Sequence, residues 1–223
     1  MEREGISFPF LPPVTNALPQ TTSLIVSGSG VLDLAGGVQE VSSIAGDGII
    51  TNSSSETAEL TVSGEAQGSF TGLIGDNIKL ILKNDGSIDL GGSSLSISSV
   101  EGNGRIANGT VLAEEISPGV KGRSGTLVFE AAPAAGATYV FDGFAEQSDK
   151  IVIEGDFNLS TFHFRLEPST LNGNKFEILS VGGIRTGEDF ASYQGSFGAW
   201  YISHDDDNSS YIKYRGGTLI LFK

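Results

Sequence analysis

Apolar residues recur along the chain in short runs: Leu24–Val26, Val31–Leu34, Leu60–Val62, Ile78–Leu82, Ile88–Leu90, Leu95–Ile97 and Leu127–Phe129. None is long enough for a helix. Several alternate as half-buried strands do, with Leu60 and Val62 inward and Thr61 outward, and Leu95 and Ile97 inward with Ser96 outward. Gly, Ser, Asn and Asp fill the intervals, and Gly and Asn accept positive φ at little cost, so tight turns are expected between strands. The pattern predicts an all-β chain with almost no helix.

The runs also repeat. Leu24–Asn52 aligns without gaps on Leu80–Asn108, with identities that include the Gly46 and Gly102 corners and the Asp33 and Asp89 pair. Short apolar runs and glycines recurring in this way mark a solenoid, in which each layer buries its inner face only against its neighbours. The predicted fold is a right-handed parallel β-helix, all-β, with two to three turns per repeat unit. On this reading Leu24 stacks in one internal ladder with Leu80, and Ile50 with Ile106.

Past the loop Gly119–Gly125 the strands become longer and more aromatic. Phe162, Phe164 and Leu166 fall on one face, with His163, Arg165 and Glu167 on the other. Solenoids need atypical terminal units, so 150–223 is expected to be an antiparallel, β-rich C-terminal cap, with Phe157, Phe162, Phe164, Phe176 and Trp200 covering the last turn. Residues 24–149 are the repeats. Residues 1–23, with four prolines between Phe8 and Pro19, form an extended N-terminal arm or cap.

Charge narrows the partners. The chain carries 27 acidic and 13 basic residues, a formal net charge of −14. Nucleic acid and anionic membrane surfaces are therefore poor partners, and no stretch approaches the roughly 20 apolar residues that span a bilayer. The absence of cysteine excludes a disulfide framework, thiolate zinc sites and a cysteine nucleophile. Met1-Glu-Arg-Glu4 lacks the charge and apolar core of a secretory signal.

Candidate chemistry is sparse. His163 and His204 are the only imidazoles, and no Gly-X-Ser-X-Gly elbow occurs. Gly28-Ser-Gly30 and Gly46-Asp-Gly48 lead into strands, which makes them turns rather than phosphate loops. Asp33 and Asp89 are equivalent in the repeat. Two such carboxylates can share a proton or flank a glycosidic bond, so they are the candidate catalytic pair; the competing reading is two solvated aspartates. Asp205, Asp206 and Asp207 form the densest acidic cluster. Their oxygens suit calcium, although no EF-hand or nonapeptide spacing is present, and a solvated hairpin tip is the alternative. No cofactor is implied.

Three segments in order, Leu60-Thr-Val-Ser-Gly64, Gly68-Ser-Phe-Thr-Gly-Leu-Ile74 and Gly86-Ser-Ile-Asp-Leu-Gly-Gly92, resemble the autotransporter-associated β-strand repeat of bacterial passenger regions. Ser117-Pro-Gly119, Gly125-Thr-Leu-Val128, Ser148–Gly155 and Gly183–Gly187 look like the closing segments of such passengers. The resemblance spans roughly positions 24–220. It implies a parallel β-helix secreted from, or displayed on, a Gram-negative-type bacterium, with a translocator barrel that this sequence lacks. It leaves two functions open. The first is a structural or adhesive module binding extracellular glycan or protein. The second is a carboxylate-dependent extracellular hydrolase, an aspartic-type protease or glycosidase acting on a polymer such as mucin.

Overall fold

A computed structural model describes residues 14–120, 123–145, 147–167, 170–171, 173–206 and 208–215. The chain is all-β. Among the described residues the one helical element is a 3-10 turn at Leu159–Thr161, started by the Asn158 side chain accepting from the Ser160 amide. Thirteen strands join in one large sheet, curled like half a barrel, and smaller sheets of two and three strands flank it.

Most pairing is parallel, and each strand meets another a short interval along the chain, as Leu60 meets Leu80 and Leu80 meets Val100. One ladder crosses the big sheet from end to end: Gln39, Leu60, Leu80, Val100, Ile116, Tyr139, Phe164 and Tyr193, each opposite the next. A second runs through Ile88, Ile106, Phe129, Ile153 and Val181. Both ladders fit one sheet because strands Ile78–Asp89 and Ser94–Ala107 are long and span both. The first strand turns its corner at a register shift between Leu82 and Gly86, where Asn84 and Asp85 take positive φ. From Leu60 to Phe164 the first ladder is wholly buried, so its rungs exclude water from one another. At about 25 cal/mol per Å² of apolar surface removed from water, this stacking is the main stabilising term.

The N-terminal rung is polar and satisfied. Gln39 is buried and its side chain exchanges two hydrogen bonds of 3.0 Å with the Leu18 backbone, while Val14–Asn16 pairs in parallel with the neighbouring Val38. Phe8, Phe10 and Leu11, the apolar part of the expected arm, lie outside the described residues, as does the apolar segment Thr218–Phe222.

Three expectations change. The large sheet is mixed rather than purely parallel, since Lys175–Val181, Ser209–Tyr214 and Trp200–His204 pair antiparallel. Among the described strands, antiparallel pairing is in turn confined to that ribbon and to a small hairpin at Gly143–Ser148. Strands Lys150–Ile153, Phe157–Asn158 and His163–Leu166 instead continue the parallel pairing.

The third change concerns the repeat. Leu24 faces Ile44 in a two-stranded sheet, whereas Leu80 lies between Leu60 and Val100. Ile50 lies between Leu32 and Ile74, whereas Ile106 lies between Ile88 and Phe129. Neither predicted pair shares a ladder. The repeat is nonetheless a true local conformation: Gly46 and Gly102 both adopt φ of 105°, and a β-carbon on either would collide with the carbonyl of Val26 or Leu82, residues related by the same shift. The shift from Leu24 to Leu80 is not a whole multiple of the step from Leu60 to Leu80, so the second copy lands on a different sheet.

Candidate functional site

The sequence-predicted aspartates do not form a pair. Asp33 is opposite Thr51, and Asp89 is opposite Ala107, in separate sheets. Each heads a sharp turn. Asp33 Oδ1 accepts from the amides of Ala35 (2.9 Å) and Ser53 (3.0 Å). Asp89 Oδ1 accepts from the Gly91 amide (2.8 Å) and Ser69 Oγ (2.9 Å), and its Oδ2 from Asn108 Nδ2 (2.8 Å). The turn residues Ala35, Gly36, Gly91 and Gly92 all have positive φ, a conformation that an aspartate hydrogen-bonding two positions ahead stabilises. The Ser53 side chain and amide lower the Asp33 pKa, and the Asn108 side chain lowers that of Asp89, so both are held as carboxylates. A shared-proton pair requires one carboxyl raised instead.

Asp205 is neutralised within the chain. Its carboxylate lies 3.1 Å from Lys175 Nζ and 3.2 Å from Lys213 Nζ, and these hydrogen bonds lower its pKa. Asp206 is exposed and Asp207 lies outside the described residues. Among the described residues no three His, Cys, Asp or Glu side chains are grouped to hold a metal.

A carboxyl whose pKa is raised was not singled out in the sequence. Asp149 is fully buried at the base of the Gly143–Ser148 hairpin, accepting from the amides of Gly125 (3.1 Å) and Asp142 (3.0 Å). Burial, with the neighbouring Asp142 charge, pushes it up to about 8. It fastens the loop ending at Gly125 to the hairpin. No substrate reaches it from solvent.

A second unpredicted cluster lies near the C-terminal end. His204 Nε2 is 2.9 Å from Asp189 Oδ1 and its Nδ1 2.8 Å from Ser210 Oγ, and Tyr193 donates its hydroxyl to the same Asp189 oxygen. The order Ser–His–Asp invites comparison with a hydrolytic triad. Ser210, however, is fully buried, and a nucleophile must meet its substrate. The chain of hydrogen bonds therefore positions rings rather than attacks carbonyls.

Those rings line the molecule's aromatic surface. Phe164 makes ring contacts with Phe190, Tyr193 and Phe197, and Trp200 packs edge-on against Tyr214 at 5.1 Å and near Phe176 at 6.1 Å. Phe164 is buried as expected, whereas Trp200 is only half-buried. Trp200 and Phe197 pack partly against the core and, with Tyr214, also wall an open groove of 810 Å³, completed by Arg165, Glu167 and Gln194. Arg165 is fixed there by both Glu115 oxygens (2.6 and 3.1 Å) and by Glu167 (2.9 Å). Gly195 makes the groove possible: at φ 92° it passes so close to the Leu166 carbonyl that any β-carbon would collide with it. The available signal was aromatic spacing in Tyr193-Gln-Gly-Ser-Phe-Gly-Ala-Trp-Tyr201, where glycines interrupt what a core strand would fill.

No protein-family model matches the chain, and no curated protein is significantly similar to it.

Proposed function

We propose that the chain is a secreted or surface-displayed structural and adhesive module that binds extracellular glycan through the Trp200–Tyr214 groove. The long parallel ladders support a right-handed parallel β-helix as its scaffold, and the motif resemblance supports an autotransporter-type passenger on a Gram-negative-type bacterium. The observation that carries the binding function is the groove itself. Partly exposed aromatic faces stand beside a guanidinium and a carboxylate held in fixed geometry. Sugars offer apolar C–H faces for the rings and hydroxyls for the planar polar groups, and such mixed sites need few well-placed polar residues. The net charge of −14 favours neutral over strongly anionic glycans.

The hydrolase reading has its best support in the Asp142–Asp149 pair, and the burial of Asp149 counts against it. The test is retention on a panel of immobilised neutral and acidic glycans, with Tyr214→Ala and Gln194→Ala as probes. Retention of a neutral glycan that falls at least tenfold in Tyr214→Ala supports the reading. Retention unaffected by both substitutions, or release of reducing ends during incubation, overturns it.

A further inference from the structure

Beside the groove, and sharing Phe197 and Trp200 with it, is a smaller cavity of 270 Å³ lined by Asp189, Tyr193, Phe197, Trp200, Tyr201 and Ile202. We propose that this cavity binds a quaternary ammonium group, and this inference is independent of the glycan reading. Most of its lining is aromatic, and a cation over an aromatic face is drawn in by the ring's quadrupole. The rings are set at angles rather than stacked flat: Tyr193 and Phe197 are 5.6 Å apart and nearly perpendicular. The cavity is shallow and open, so the rings offer a rounded cation one face of contact rather than a slot for a flat ring. Its volume falls below the roughly 300–1,000 Å³ of sites for drug-sized ligands, which suits a headgroup rather than an oligosaccharide.

The carboxylate supplies the charge. All three hydrogen bonds to Asp189, from Tyr193, His204 and the Phe190 amide, converge on Oδ1. Among the described residues none reaches Oδ2, which leaves that oxygen for a ligand. Burial raises the Asp189 pKa, but these three hydrogen bonds outweigh it, and the group stays ionised at neutral pH. A primary ammonium or guanidinium needs several acceptors to replace its water, and among the lining side chains Asp189 is the one carboxylate. A trimethylammonium donates no hydrogen bond and needs only rings and a counter-charge. Arg215 already lies 5.0 Å from the Tyr201 ring centre, so Tyr193, Phe197 and Trp200 are the rings left for the ligand.

Trp200 is the only tryptophan in the chain and lines both the cavity and the groove, so its emission reports binding, and Tyr214→Ala, at a residue that lines the groove alone, separates the two. The experiment titrates the protein with choline, with the neutral tert-butyl analogue of choline, and with phosphatidylcholine vesicles. Choline is expected to change Trp200 emission saturably, about tenfold more tightly than the neutral analogue, and Asp189→Asn to weaken choline about tenfold. Because Asp189 also orients Tyr193 and His204, the comparison of the two ligands on the unaltered protein stands without the variant. Sedimentation with vesicles that free choline reverses assigns the headgroup to a lipid surface. Choline binding without sedimentation assigns it to a small solute. Equal affinity for choline and its neutral analogue, or no saturable response to either, overturns the proposal. Glycan retention is read separately, so either activity can fail without the other.

Discussion

The two halves of one ladder differ in what fills them. Toward the N-terminus the rungs are aliphatic (Leu60, Leu80, Val100, Ile116) and follow one another at short intervals. Toward the C-terminus they are Tyr139, Phe164 and Tyr193, and the step from Phe164 to Tyr193 is the longest in the ladder. The second ladder behaves alike, lengthening at every step from Ile88 through Ile106, Phe129 and Ile153 to Val181. Part of the added chain leaves the ladders, as the Gly143–Ser148 hairpin does between Tyr139 and Phe164. The longer intervals and the aromatic rungs thus occur together, and the rings left over at the rim become a surface.

The largest test of that contrast is removal of the aromatic half. Deleting 150–223 removes one of the two partners of Thr126–Phe129 and of Thr138–Phe141 and exposes Phe129, Tyr139 and Phe141 at open strand edges, which template association. The truncated protein is expected to aggregate strongly in light scattering, and deletion of 1–19, which uncovers the Gln39 rung, to do so less. A monomeric, cooperatively melting 1–149 fragment would show two independent units.

At the junction of the two halves, Asp149 should make stability depend on pH. Its pKa is about 8 folded against 3.8 as a free side chain, so the folded state keeps a proton that the unfolded state releases. The Asp149 contribution is then full below about pH 4, falls as pH rises toward about 8, and is gone above it, a loss of at most about 6 kcal/mol. Asp149→Asn removes that slope. It forfeits the Asp142 amide bond and so melts lower than the parent in acid, but higher above about pH 8. Parallel melting curves for parent and variant across this range would reject the assignment.

Within the core, Phe164→Ala should cost about 4 kcal/mol and Leu80→Ala about 3 kcal/mol, measured by urea unfolding. Phe164 touches the rings of Tyr139, Phe141, Phe190, Tyr193 and Phe197, so its cavity has the least chance to collapse. Equal costs would mean that the aromatic half relaxes as readily as the aliphatic one. The smallest effect belongs to the turn aspartates. Asp33→Asn and Asp89→Asn should each cost about 0.5–1 kcal/mol, because exposed hydrogen bonds contribute little net. Both groups have lowered pKa values, so their contribution is present at neutral pH and is lost as pH falls below the ordinary aspartate range.

Strands and their inward faces were legible because a period of two needs only local sequence: Phe162, Phe164 and Leu166 are buried as read, and so are Leu95 and Ile97. Thr61 was read as outward but is buried. Stacking register was not legible. The likeness of Leu24–Asn52 to Leu80–Asn108 records where chain corners fall, and corners such as Gly46 and Gly102 need glycine wherever they occur, whichever strand lies beside them. The site was illegible for a related reason. Aromatics in a strand-rich sequence are ordinarily core, and only the path around Gly195 brings Trp200 and Phe197 to the rim. Asp149 gave no signal at all, since its neighbour Asp142 meets it across a hairpin.

The lengthening of the ladder intervals also bears on polymerisation. Fibrils grow because each new molecule finds a rung identical to its own. Here the first rung, Gln39, is spoken for by the Leu18 backbone, and the step from Phe164 to Tyr193 takes more chain than the step from Gln39 to Leu60. An incoming copy would meet strands spaced differently along the chain from its own, a mismatch that disfavours end-to-end addition.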